Sequence, residues 1–345
     1  MKPQPFSTAP AAPPVGRPKL GFLGTGRIGR NRLEAIARSQ TADIAFVADT
    51  DGAMAEQARQ LAPESERSQG LEAMLDSGID GLVIATPSAL HAAQAIRALD
   101  AGIAVFCQKP LGRDRGEVED VVSAARNADR LLGVDLSYRF TTGAQLIAER
   151  LRRGDIGKVF AVDLEFHNAY GPDKAWFYDR FLSGGGCVID LGVHLVDMAL
   201  WLLGPCDIRH VESALYRDGR RLVSGSEDVE DFAAATLETV QGVTIRLTCS
   251  WRLHAGCDAV IRARFFGEKG GLEFANVGGS FYDFTARHHL QTASTELCGP
   301  PDDWSGRAAV DWVRRLARNP GYDPACEQFI AVADALDRIY QAGRR

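Results

Sequence analysis

The sequence predicts an α/β domain built on a parallel sheet, followed by an α+β domain with a mostly antiparallel, open-faced sheet. Three observations predict it. Between residues 19 and 139 short apolar runs alternate with helical periods, the pattern of a parallel sheet wrapped by helices. The first run, Leu20 to Leu23, leads straight into Gly24-Thr25-Gly26-Arg27-Ile28-Gly29 and a helical pattern, which is the opening of a Rossmann domain. Beyond Thr141 several segments of period-two alternation follow one another without helices between them, which means antiparallel pairing. At 345 residues the chain exceeds what one hydrophobic core spans. The division is a leader over 1–18, a Rossmann domain over 19–139, and an α+β domain over 140–345.

Element by element, strands are expected at 20–23, 44–48, 81–85, 104–107 and 131–134, with helices near 28–38, 91–100 and 117–128. Gly102 and Gly133 are read as the points where helix ends turn back into strands. A helix over about 143–153 then leads into a strand at 159–166 and a loop carrying Tyr170, Trp176 and Phe177. A second helix, 188–203, stops at Gly204-Pro205, which cannot continue it. Further strands are expected at 231–237, 243–249, 260–266 and 271–274, with a hairpin turn at 267–271. Two last helices, about 307–318 and 324–342, are split by Asn319-Pro320-Gly321. No internal repeat is present.

The composition is that of an ordinary globular protein, with 46% hydrophobic and 24% charged residues. A net charge of −6 argues against nucleic acid as the main partner, since phosphate binding rests on clustered Lys and Arg. No apolar run reads as long enough to span a bilayer, so no membrane partner is expected. The seven cysteines (107, 187, 206, 249, 257, 298 and 326) are odd in number and lack any C-x-x-C pair. That favours reduced thiols over a disulfide framework or a zinc site, so no metal is expected. Residues 1–18, rich in Pro and Ala, have no signal-peptide core and no twin arginine, which reads as a disordered leader on a cytoplasmic protein.

The glycine loop points to a dinucleotide. Gly24 permits the tight turn, Gly26 lets backbone approach a pyrophosphate, and Gly29 lets helix and strand pack closely; the helix N-terminus supplies N–H groups, with Arg27 and Ile28 in its first turn. Asp49 ends the second strand, 20 residues after Gly29. An acid there accepts from the adenosine ribose and repels a 2′-phosphate, which favours NAD over NADP. The competing reading of Asp49 is a solvated turn residue, and Arg27 is a nearby cation that weakens the preference.

Three further features carry chemistry. Gln108-Lys109-Pro110 follows the strand ending at Cys107, where ligand groups of open α/β sheets gather, although a lone Lys is also a common surface charge. Asp190 and His194 stand four apart on a predicted helix and share a face, as a reacting pair or as a local brace. Ser183-Gly184-Gly185-Gly186 precedes them, a run whose ordering is costly and which suggests close approach to cofactor or substrate, or a flexible connector. Thr86-Pro87, with His91 beginning the next helix, is the third feature and lies beside the expected cofactor.

Together these segments resemble the Gfo/Idh/MocA family, named for glucose–fructose oxidoreductase and inositol dehydrogenase. The resemblance is carried by the glycine loop, A-T-P-S-A-L-H at 85–91, A-L-D-A-G-I-A-V-F-C-Q-K-P at 98–110, S-Y-R-F at 137–140, G-D-I-G-K-V at 154–159 and S-G-G-G-C-V-I-D-L-G-V-H-L-V-D at 183–197. It implies an NAD-dependent oxidoreductase of a sugar, polyol or related secondary alcohol. The lysine of the family's E-K-P motif maps to Lys109 and its D-x-x-x-H pair to Asp190 and His194; the usual Glu is Gln108 here. The cofactor residues are then Gly24, Gly26, Arg27, Ile28, Gly29, Asp49, Thr86, Pro87, His91, Gln108 and Lys109. Substrate contacts are expected from Lys109, Tyr138, Arg139, His167, Trp176, Asp190 and His194, with Arg139, Lys174 or Arg180 as alternative holders of a carboxylate or phosphate. Competing readings are an NAD-dependent glycosidase acting through transient oxidation and a non-catalytic NAD-responsive regulator. A homodimer or homotetramer through the open sheet face is expected.

Overall fold

The computed structural model describes residues 16–344, which fall into two compact units. The expected leader lies outside the described residues up to position 15. Arg17 and Pro18, assigned to it, are ordered: the Arg17 guanidinium donates to the Gln40 carbonyl, and the Pro18 carbonyl accepts from Asp43 N at 3.0 Å.

The first unit holds residues up to Ser137 together with 305–330. It consists of β1 (Lys19–Leu23), α1 (Arg27–Ser39), β2 (Asp43–Ala48), α2 (Gly52–Leu61), β3 (Glu66–Arg67), α3 (Leu71–Leu75), β4 (Gly81–Ile84), α4 (Ser88–Asp100), β5 (Ala104–Cys107), α5 (Arg115–Ala128) and β6 (Leu132–Val134). All strands pair in parallel in the order β3-β2-β1-β4-β5-β6, so the direction of winding reverses between β1 and β4. β4 and β5 are buried along their whole length, as strands covered on both faces must be. Two of its helices start at an acid that caps them: Asp51 accepts from Ala53 N at 2.8 Å for α2, and Asp114 from Glu117 N at 2.9 Å for α5.

The stretch 305–330 was expected in the second domain and belongs to the first unit instead. Its helix Arg307–Arg318 lays Trp312, 2% exposed, across the sheet. A Cβ at Gly81 of β4 or Gly133 of β6 would stand 2.7 or 2.6 Å from the indole, and Phe106 of β5 packs between them at 5.6 Å ring to ring. Gly133 is thus a strand residue cleared for the indole rather than a turn, which period counting could not reveal.

The second unit holds residues 138–304 and the stretch from Ala331 onward. Its elements are α6 (Thr142–Arg153), β7 (Val159–Asn168), α7 (Arg180–Ser183), a single π-helical turn (Val188–Gly192), α8 (Val193–Leu203), β8 (Ile208–Arg217), β9 (Arg220–Arg221), β10 (Phe232–Thr239), β11 (Thr244–Ser250), β12 (Ala259–Gly267), β13 (Gly270–Asn276), β14 (Phe284–Leu290) and β15 (Ala293–Cys298). They form a nine-stranded sheet, β15-β14-β13-β12-β7-β11-β10-β8-β9, antiparallel except for β7 beside β11. β8, β14 and β15 escape the sequence reading because their patterns are mixed or exposed, as suits strands toward the sheet's two edges.

One face of this sheet, with Val162, Leu164, Phe166, Leu247 and Phe274, packs on α6 and α8. The other carries an alternating ladder across four strands: Arg246–Asp163 at 2.6 Å, Asp163–Arg264 at 3.2 Å, Arg264–Glu165 at 3.6 Å and Arg262–Glu273 at 3.8 Å. The region Arg180–Leu203 contains a window of mean hydropathy 1.7 that is long and apolar enough to cross a bilayer, contrary to the sequence reading. Because 83% of that window is buried inside the fold, it is a core element.

Trp312 yields a stability prediction. Trp312→Ala should cost about 3–5 kcal/mol in urea unfolding, from lost burial and the cavity left over two glycines. Trp312→Phe should cost much less, because the indole N–H is buried without a hydrogen-bond partner and its loss removes an unmet donor.

Candidate functional site

In the first unit the residues singled out in the sequence converge at the carboxyl ends of four adjacent strands. Gly24 follows β1, with φ +88°, and its N–H donates to Ala48 O of β2 at 2.8 Å. A Cβ at Gly24 would stand 2.6 Å from the Ala85 backbone, and one at Gly29 only 2.2 Å from Gly24 O, so both positions exclude any larger residue. Gly26 differs: a Cβ there would meet nothing within 4 Å. Two glycines thus close the loop on itself, and the third leaves open space at the start of α1, where backbone N–H groups suit a diphosphate. Arg27 and Ile28 are exposed beside that space. This cradle fits a dinucleotide.

Asp49 braces the loop: its Oδ2 accepts from Thr25 N at 2.6 Å and its Oδ1 from Asp51 N at 2.9 Å. A carboxylate has about four acceptor sites, so it retains capacity for a ribose hydroxyl. Thr86 and Pro87 follow β4, and Thr86 Oγ1 donates to Gln94 at 2.6 Å. Gln108 and Lys109 follow β5 and are half-buried.

His91 is corrected. It is 1% exposed, and both ring nitrogens are engaged by backbone carbonyls, Nδ1 with Pro110 O and Nε2 with Thr86 O, each at 2.7 Å. It ties the β4 and β5 loops together and has no ring nitrogen left for a cofactor. Burial pushes its basicity down, against the pull of the two carbonyls.

In the second unit Asp190 and His194 are the only residues between 185 and 202 that are not buried. Asp190 sits in the π-helical turn, a feature that often marks functional sites, and His194 in the first turn of α8. Trp251, just after β11, donates its indole N–H to Asp190 Oδ2 at 3.0 Å. Around Trp251 stand Phe177 and Tyr178, edge-on at 6.4 and 5.6 Å, and Trp176 stacks on Phe177 at 3.8 Å. Tyr138 is buried with its ring 4.9 Å from the His194 imidazole. It packs against His194 and among Phe166, Phe284 and Trp304.

Two expected substrate contacts are overturned. Arg139 makes a two-pronged ion pair with the buried carboxylate of Asp197, one arm at 2.7 Å, and lies over Trp201. Burial raises the Asp197 carboxyl and the guanidinium lowers it, so the pair serves the core rather than an anionic substrate. His167 follows Phe166 in β7, and successive strand residues face opposite ways. Its ring is held on the face away from α8 by Ser250 at 2.9 Å and Thr248 at 3.3 Å, and so cannot face what His194 faces.

The glycine run also has a different cause. A Cβ at Gly185 would meet Tyr340 Oη at 2.1 Å, and one at Gly186 would meet Glu230 O at 1.8 Å. Glu230, fully buried, accepts on Oε1 from Gly186 N and Val188 N at 3.0 Å and from Tyr340 Oη at 2.9 Å. Burial lifts the Glu230 carboxyl above its ordinary range despite these donors. Glu230, Tyr340 and Trp251 were missed because no spacing links them to residues 185–194; only the fold does.

Gly26 and Gly29 separate ligand binding from folding. Gly26→Ala should leave the melting temperature unchanged and weaken NAD binding tenfold or more in a fluorescence titration, because its methyl occupies the open cradle. Gly29→Ala should lower the melting temperature itself, since its methyl must displace the Gly24 carbonyl.

Comparison with known proteins agrees with this arrangement. Residues 19–136 match the oxidoreductase family with NAD-binding Rossmann fold, and residues 144–273 match the GFO/IDH/MocA C-terminal domain. A putative UDP-kanosamine synthase oxidoreductase subunit of Amycolatopsis mediterranei is 32% identical, with 70% of this chain and 71% of that protein covered. Inositol 2-dehydrogenase of Rhizobium meliloti is 29% identical over 75% and 76% of the two chains. The crystal structure of GenD2 from gentamicin A biosynthesis in complex with NAD has the same fold, with a TM-score of 0.81, 22% identity and coverage of 98% and 97%. A Rossmann unit cleared for a diphosphate and a second unit presenting Asp190 and His194 therefore belong to a member of the Gfo/Idh/MocA family, an NAD-binding oxidoreductase acting on CH–OH groups.

Proposed function

We propose that this enzyme oxidises a secondary alcohol of a sugar, polyol or sugar derivative with NAD, or reduces the corresponding ketone, with Lys109, Asp190 and His194 as its catalytic residues. The observation that carries the reading is the half-exposure of Asp190 and His194 within an otherwise buried stretch, beside the aromatic group of Trp251, Tyr178, Phe177 and Trp176. Aromatic faces with carboxylate and imidazole acceptors at their edge suit a ring bearing several hydroxyls. A sugar derivative or polyol as substrate accords with the relatives' names, a UDP-kanosamine synthase subunit and an inositol 2-dehydrogenase.

NAD, when bound at the Gly24–Gly29 loop, supplies a two-electron hydride acceptor. The chain's own groups manage the proton. His194 takes the hydroxyl proton at an imidazole nitrogen as general base, since imidazole titrates near neutral pH. The Lys109 ammonium stabilises the developing alkoxide. Asp190, held by the Trp251 indole, orients a substrate hydroxyl or His194. In the reducing direction the same groups donate. Asp49 favours NAD over NADP by repelling a 2′-phosphate. The ladder-bearing sheet face joins a second copy as homodimer or homotetramer, and the protein works in the cytoplasm.

His194→Ala should lower kcat for NADH formation by about 10²–10⁴-fold while the NAD dissociation constant stays within twofold. Undiminished turnover would remove His194 from the mechanism. A panel of free sugars and polyols tested with NAD and NADP separately identifies the substrate. Aryl-glycoside cleavage without NADH accumulation would instead point to a glycosidase using transient oxidation.

A further inference from the structure

Gln108 in the loop after β5, where the resembled motif has Glu, lies against a buried polar cluster. Asp135, just past β6, is 1% exposed. Its Oδ2 accepts from Arg32 Nε of α1 at 2.5 Å and from Gln108 Nε2 at 2.9 Å, and its Oδ1 accepts from Ser137 Oγ. Arg32 is 8% exposed and also donates from Nη2 to Ser137 Oγ at 3.0 Å, so an ion pair on one carboxylate oxygen and a hydroxyl on the other are themselves linked. The other end of the Gln108 amide, Oε1, accepts from the backbone N–H of Lys109 at 2.9 Å.

We propose that Gln108 is a positioning residue for Lys109, its amide bridging the Lys109 backbone to the buried Asp135 carboxylate. The proposal rests on the role given to Lys109 above. An amide is suited to this place because it offers a donor at one end and an acceptor at the other at every working pH. A glutamate in the same rotamer would set a second carboxylate oxygen 2.9 Å from Asp135 Oδ2, where both cannot stay ionised. The buried carboxylate near the lysine is that of Asp135 at the end of β6, and Gln108 relays its hold to the Lys109 backbone.

The test is Gln108→Glu against Gln108→Leu. The titratable and charged groups facing position 108 are Asp135 after β6, Arg32 of α1, the adjoining Cys107 and Lys109, and His91 of α4 across the Pro110 carbonyl. In Gln108→Glu the introduced carboxyl, while protonated, presents O–H to Asp135 and C=O to Lys109 N, reproducing the amide. Its folded pKa is raised by Asp135, so the variant keeps its proton and its stability at acid pH and loses both as pH rises through about 5–8. Measured at saturating NAD, the ratio of variant to parent kcat should be highest at the acid end and fall tenfold or more toward the alkaline end. The melting temperature of the variant, relative to parent, should fall over the same window. Gln108→Leu should be impaired by a factor that does not vary with pH.

A kcat ratio that stays flat while the melting temperature responds would overturn the positioning role, and a melting temperature that does not respond would overturn the pairing itself. If the parent forms no NADH with any sugar, the functional reading fails instead, while the melting series still reports on the Asp135–Gln108 pair.

Discussion

The arrangement of the second unit depends on one buried carboxylate. Glu230 takes two backbone N–H groups at the head of the segment that carries Asp190 and His194, and a third donor from Tyr340. The start of a helix leaves its first N–H groups without partners, and in a buried helix water cannot serve them. Without Glu230, so apolar a segment could not begin inside the fold. The bare backbone of Gly185 and Gly186 is the corresponding requirement, because only glycine lets Tyr340 and Glu230 come close enough. With its start secured, the segment can be buried everywhere except at Asp190 and His194, the two positions proposed above to meet a substrate.

The first unit solves a related problem in the opposite way. Its loop must present N–H groups outward, to an anion, and not to the protein's own oxygens. Gly24 and Gly29 achieve this by packing backbone against backbone, and Asp49 anchors the turn through Thr25 N. The remaining glycine, Gly26, faces open space. Binding capacity therefore arises where packing is withheld, next to positions where packing is closest.

Much of this was legible in the sequence, for identifiable reasons. Strands buried on both faces read as apolar runs, and the glycine loop joins its strand and helix without a gap, so five of the six strands of the Rossmann sheet could be followed in order, whereas α2, β3 and α3 were missed. That Asp190 and His194 escape burial together was legible because four-residue spacing survives a local π turn. What escaped notice depends on contacts between distant segments. Arg139 looks like a ligand until Asp197 is found against it, 58 residues away. His167 looks like a site residue until the strand's alternation turns it to the far face. The stretch 305–330 follows the second domain's strands in the chain but packs on the first domain's sheet, because Trp312 fits a groove made by glycines 81 and 133.

The same reasoning bears on the open sheet face. An apolar face would drive association by burial alone, but this one is crossed by arginines and carboxylates in alternation. Each cation on β11 and β12 already has an acid on β7 or β13. Two such faces brought together must exchange or share those pairs, and desolvating them offsets much of the Coulombic gain. Association there would be selective for a face of matching charge order, and a two-fold axis supplies such a match because each ladder then meets its own copy reversed. Charge of this kind favours a defined partner over indiscriminate edge or face contacts, which is the property a sheet with one uncovered side requires.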